Sequence, residues 1–170
     1  MMGTRSLARV EPGATQFRAT LLVVDDEPEI CTAVYHLLHA RYTVLIAHSV
    51  AQGMALMAQH EVALVLTNQA IPELARVNQP VTLKTKYPEA IRMLYAGYTD
   101  LESMVEAVHE GHFHRFISKP WQPEELITAV DDAAREYYRI IQNFEELAKC
   151  RQTVKTLQVE VQTLRARLEI

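Results

Sequence analysis

From residue 21 onward the chain alternates short, largely apolar runs with longer segments in which apolar residues recur at helical spacing. The runs are residues 21–24, 44–47, 62–66, 91–95 and 116–117. Each is too short to make a helix. The segments between them, 28–40, 49–60, a weaker stretch at 81–86, and 99–110, have helix length. Apolar runs followed by amphipathic helices predict a parallel sheet covered by helices on both faces, a doubly wound five-stranded α/β fold. The expected caps fall at the joins. Asp26, Glu27 and Pro28 suit a first helical turn, Ser49 an N-cap, Thr99 or Asp100 another, and Gly111 a C-terminal stop.

Two stretches lie outside this alternation. Residues 1–19 mix Gly3, Pro12 and Gly13 with isolated charges, show no period and read as a loosely ordered tail. At the other end, no glycine or proline occurs between Glu124 and Ile170, so the last helix of the domain is expected to run straight on. The domain then spans 20–137 and the extension 138–170. Along the extension Ile140, Leu147, Val154, Val161 and Leu168 recur every seven residues, with Asn143, Cys150, Leu157 and Leu164 between them. Taken as positions a and d of a heptad, firmest from Leu147 onward, this predicts a parallel two-stranded coiled coil, because valine at a with leucine at d favours dimers. Glu146 would face Arg151 of the second copy and Glu160 its Arg165, attractive pairs that select the parallel, in-register arrangement. A sustained 3.5-residue period with matched charges favours this over an extension folded back onto its own domain. Asn143 is expected to fix register or mark where the helices splay.

Composition narrows the classes. Of 170 residues 49% are hydrophobic, enough for a core, and a net charge of −4 argues against a nucleic-acid surface. No apolar stretch approaches the ~18 residues of a membrane span, and the first residues lack a secretory centre, so a cytoplasmic protein is expected. Cys31 and Cys150 are too few for a disulfide framework or zinc site, and Cys150, at d, is expected as a buried thiol in the seam. His109, His112 and His114 cluster around Gly111 without metal-ligand spacing and read as a solvated helix end and loop. Trp121 is expected to cap the core edge. No phosphate-cradling glycine loop, nucleophile elbow or serine–histidine–acid pattern occurs, so no enzyme is expected.

In a doubly wound sheet, ligands bind beyond the carboxyl ends of the strands. Just past the runs lie Asp25 and Asp26, Asn68, Ala96 and Gly97, and Lys119. The segments LLVVDDEPEI, VLTNQAIP, MLYAGYTD and FISKPW, in this order and spacing, resemble the receiver domain of two-component response regulators over residues 20–137. HRFISKPWQPEEL is close to receivers that precede hydrogenase regulators and cyclic-dinucleotide phosphodiesterases. The resemblance implies a flavodoxin-like fold and a phosphorelay role, in which a histidine kinase phosphorylates an aspartate ending the third strand. It matches Asp25 and Asp26 to metal-binding acids, Lys119 to the phosphate-balancing lysine, Phe116 to the aromatic switch position, and implies a cis Lys119–Pro120 bond.

The departures are at the chemistry. Asn68 stands at the acceptor position, and an uncharged amide is not a phosphoryl nucleophile. Ala96 replaces the switch hydroxyl, Ala75 and Arg76 stand where an Asp-Gly pair is expected, and Pro80 falls where it would shorten the third helix. The expected role is therefore a phosphorylation-independent pseudo-receiver, dimerised by its coil, acting on a protein partner in a signalling pathway through the face formed by its fourth helix, fifth strand and last helix. Neither membrane nor nucleic-acid contact is expected. Lys119 is expected to pair with Asp25 or Asp26, with no cofactor beyond weakly held magnesium. One alternative is a conventional receiver with an altered acceptor, the input half of a larger regulator. Another is a metal or ligand sensor in the vacated acidic pocket.

Overall fold

The computed structural model describes residues 18–68, 79–97 and 113–168. Its elements are β1 (Thr20–Val24), α1 (Pro28–Leu38), β2 (Thr43–Ala47), α2 (Val50–Gln59), β3 (Leu64–Asn68), α3 (Gln79–Lys86), β4 (Ile91–Ala96), β5 (Arg115–Ser118) and α4 (Pro123–Leu168). All strands are parallel, in the order β2-β1-β3-β4-β5. This is the doubly wound, flavodoxin-like arrangement, and it has its switch point between β1 and β3.

Alternation along the strands builds two apolar layers. Leu21 and Val23 of β1, Leu64 and Leu66 of β3, and Ile91 and Met93 of β4 pack with Val34 and Leu38 of α1 and Leu126, Val130 and Ala133 of α4. Leu22, Val24 and Val65 face the other way, onto Val50 and Met57 of α2 and Leu83 of α3. Burial on both faces explains why these strands read as continuous apolar runs. Each fully buried Leu, Ile, Val or Met among them stabilises the fold by about 1.5–3 kcal/mol. Gly53 permits the close approach of α2, since a Cβ there would stand 3.1 Å from Val24 Cγ2.

The caps match the expected chemistry. Pro28 opens α1 behind Glu27, and the Ser49 side chain accepts from the Gln52 amide at 3.2 Å at the start of α2. Some boundaries differ. The first helix ends at Leu38 instead of residue 40, and β3 begins at Leu64, two residues later than its apolar run, to end on Asn68. Pro80 sits in the first turn of α3, where a missing amide hydrogen costs little. Trp121 packs at the core edge. The helix expected at 99–110, Gly111, Ala75, Arg76, His109, His112 and residues 1–17 of the tail lie outside the described residues.

Helix α4 is a continuous 46-residue rod with two unlike halves. Up to Ile141 it packs on the domain. There it is pinned by the Tyr42 hydroxyl on Asp131 (2.5 Å), by Arg41 on Asp131 (2.8 Å) and by Arg115 near Asp132 (3.4 Å). From residue 146 to 168 every residue is exposed. Leu147, Val154, Leu157, Val161, Leu164 and Leu168 are uncovered, and Cys150 is exposed in the single chain. Ile140, expected on the seam, instead packs against the domain core, so the uncovered stripe begins at Leu147. Among the described residues no helix is long and apolar enough to cross a membrane.

Candidate functional site at the carboxyl ends of the strands

Strand register brings three side chains into a row at the carboxyl edge of the sheet. Val24 pairs with Thr67 and Asn68 pairs with Tyr95, which sets Asp25, just past β1, in a row with Asn68 of β3 and Tyr95 of β4. The Asp25 amide donates to the Ala47 carbonyl at 3.0 Å, continuing the ladder toward β2. Lys119 follows β5, and its amide donates to the Ala96 carbonyl at 2.8 Å. The Lys119–Pro120 bond is cis.

Asp25 is fully buried at the centre of this row. Its Oδ1 accepts from the Glu27 amide at 2.9 Å and from Asn68 Nδ2 at 3.3 Å. Its Oδ2 accepts a short hydrogen bond from the Tyr95 hydroxyl and lies 3.8 Å from Lys119 Nζ. Lys119 Nζ also lies 3.8 Å from Glu27 Oε1 and 4.6 Å from the centre of the Tyr95 ring, within cation–π range. Burial first, and then the hydrogen bond to Asp25, push the Tyr95 phenol far above its ordinary pKa, so it stays a proton donor. A carboxylate offers about four lone-pair positions, and here three donors and one ammonium are directed at them.

Cys31 is buried, and its thiol donates weakly to the Asp25 carbonyl at 3.5 Å, which also contacts His48 Nδ1 at 3.1 Å. Burial, with Asp25 second, raises the Cys31 pKa to about 11, which leaves it a protonated thiol.

Asp25, Asn68 and Lys119 therefore meet as their positions in the chain predicted. Asp26 is exposed; of the two acids it is Asp25 that lies beside Lys119, and Glu27 joins it there. Ala96 is buried at the end of β4, and Phe116 is half-buried against Leu94, Ala96 and Phe113. Tyr95 was missed, because its run reads as plain strand. The available signal was a hydroxyl-bearing aromatic at the last-but-one position of a buried central strand. Arg92 was also missed: it is buried within β4, donating to the Ala90 carbonyl at 3.0 Å. Next to it, His114 Nδ1 accepts from the Arg92 amide at 3.0 Å, while the His114 amide donates to the Arg92 carbonyl at 2.8 Å. The imidazole, on an exposed residue, thus extends the β4–β5 ladder by one side-chain hydrogen bond.

Comparison with known proteins agrees with the geometry. The family model "Response regulator receiver domain" matches residues 21–131. The chain belongs to the response regulator receiver family. It is 34% identical over 116 residues to the hydrogenase transcriptional regulatory protein HoxA of Cupriavidus necator, covering 68% of this chain and 24% of that protein. The HoxA of Bradyrhizobium diazoefficiens is 28% identical over 120 residues, 71% of this chain and 25% of that protein. The chain thus spans about a quarter of the length of these curated relatives. Among solved structures, the receiver domain of an HD-domain-containing protein from Pseudomonas fluorescens Pf-5 superposes with a TM-score of 0.70 at 28% identity, covering 78% of this chain and 98% of that one. The receiver is a module of two-component signalling.

Divalent cations such as magnesium need carboxylate oxygens that are open to them. Both oxygens of Asp25 already accept hydrogen bonds within the chain, residue 68 is an uncharged amide, and Asp26 is exposed. Among the described residues no three His, Cys, Asp or Glu side chains are grouped to hold a metal ion.

Proposed function

We propose that this receiver works without phosphorylation, as a constitutive interaction module of a signalling pathway, dimerised by a parallel coiled coil of the distal part of α4. The observation that carries the reading is the closed state of Asp25. A carboxylate that would serve metal-assisted phosphoryl transfer is buried and bonded to Asn68, Tyr95, Lys119 and the Glu27 amide. Asn68 has no nucleophilic oxyanion, and Ala96 offers no hydroxyl to follow a phosphoryl group. With neither acceptor nor relay, the conformation of the domain is not tied to phosphate.

The uncovered stripe of α4 supports the dimer. Leu147, Val154, Leu157, Val161 and Leu164 share one side of the distal part of the helix and are left exposed by the described residues. A second copy in register covers that side and sets Glu146 against Arg151 and Glu160 against Arg165. The protein partner would meet the face that includes β5 and the packed half of α4, in the cytoplasm, without membrane or nucleic-acid contact. The test is incubation with acetyl phosphate and magnesium: the intact mass should be unchanged, and a stable acid-labile phosphoryl adduct would refute the reading.

A second reading follows from the relatives. HoxA proteins are transcriptional regulators about four times as long as the matched segment, so this receiver would regulate an output domain of the same kind. Under that reading the coil transmits the dimeric state to the output.

A further inference from the structure

The strand-end site differs from a cation-binding site by more than the amide at Asn68. Asp25 has two oxygens, and different residues occupy them. Asn68 Nδ2 and the Glu27 amide are on Oδ1, while the Tyr95 hydroxyl is on Oδ2, the oxygen nearer Lys119. Restoring an acid at position 68 changes only the first of these oxygens. The second stays covered by Tyr95, whose ring is held in β4 with Met93 and Ile91 in the same apolar cluster and lies beneath the Lys119 ammonium. Tyr95 is buried, so its hydroxyl has no route to solvent as an alternative partner.

We infer that the Tyr95 hydroxyl is a second, independent lock on this site, closing Asp25 to divalent cations whether or not residue 68 is acidic. The inference rests on the reading that the pocket no longer serves phosphorylation. Tyr95 acts here as a positioning residue: it holds Asp25 Oδ2 inward and supplies the hydrogen bond that a metal–oxygen contact would have to displace. Tyr95→Phe retains the ring and removes that bond. Asn68→Asp sets two carboxylates side by side, an arrangement that repels unless a cation lies between them.

The experiment compares the 170-residue chain with its Asn68→Asp, Tyr95→Phe and double variants in magnesium and manganese titrations. Trp121, the single tryptophan and two residues beyond Lys119, reports binding by its fluorescence, and thermal midpoints are read with and without metal. Tyr95→Leu is run in parallel, so that a packing defect in one substitution does not hide the result. The lock predicts that Asn68→Asp alone lowers the midpoint and that metal does not restore it. The double variant should bind at least about tenfold tighter than Asn68→Asp and recover its midpoint with metal. Equal metal affinity in Asn68→Asp and the double variant would overturn the lock. Phosphorylation of the unaltered chain would instead overturn the function on which it rests, so the two failures are distinguishable.

Discussion

The strand-end site and the distal half of α4 treat their functional groups in opposite ways. At the site, the buried carboxylate is bonded to Asn68, Tyr95 and Glu27 and paired with Lys119, all from the same chain. In the distal helix, apolar residues at regular spacing are left uncovered by the described residues: Leu157 is 53% exposed and Leu164 57%. A closed polar site has little free energy to gain from an incoming group, because any ligand must first displace hydrogen bonds already made. An uncovered apolar stripe gains free energy from any partner that removes it from water. The contrast moves the expected point of action from the sheet edge to the helix.

The largest test of that contrast lies within α4 itself. Leu126→Ala, in the packed half, should destabilise the domain by about 2–5 kcal/mol, measured by denaturant unfolding followed at Trp121. Leu157→Ala should leave that domain transition within about 0.5 kcal/mol of the unaltered protein. Comparable losses at both positions would mean that the distal helix packs on the domain. Next in size, Leu157→Asp combined with Leu164→Asp should weaken self-association by at least about a hundredfold in sedimentation, while the domain stays folded. An unchanged dimer would place the interface elsewhere.

Changes at the site should be smaller. Tyr95→Phe removes a hydrogen bond to a buried charged group and should cost about 1.5–3 kcal/mol, without altering self-association. A pH test concerns the β4–β5 ladder. Burial of the His114 ring, and then the charge of Arg92, lower its pKa from the ordinary 6.5, so the fold favours the neutral, accepting ring. Its contribution is fully present above about pH 6.5 and is lost as the pH falls from there through the lowered value. Unfolding midpoints between about pH 7.5 and 5 should therefore fall more in the unaltered protein than in His114→Leu, and parallel curves would remove His114 from the ladder. Smallest of all, Glu160→Lys sets like charges across the seam and should weaken the dimer by at most about 1 kcal/mol, with added salt reducing the difference. A difference that persists in high salt would argue against a surface pair there.

Much of this organisation was legible in the chain because parallel strands buried on both faces leave a strong mark. Residues 21–24 and 44–47 read directly as β1 and β2, and Ser49 announced α2 by its capping chemistry. The positions of Asp25, Asn68 and Lys119 followed from where the strands end. Tyr95 was not legible, because its role depends on register. Only the pairing of Asn68 with Tyr95 places the phenol next to Asp25, and nothing local encodes a contact between residues 70 positions apart. Arg92 was hidden for a related reason: its neighbours are apolar, and the carbonyls that accept from it belong to the bend before β4. Ile140 shows the limit of periodicity, since the heptad continues through it although the domain already covers it.

Native mass spectrometry of the full chain after incubation with acetyl phosphate and magnesium reads both halves of the account in one spectrum. The account predicts a dimer of two unmodified chains, the same as in the untreated sample. A monomer that dimerises only as it gains a phosphoryl group would contradict it.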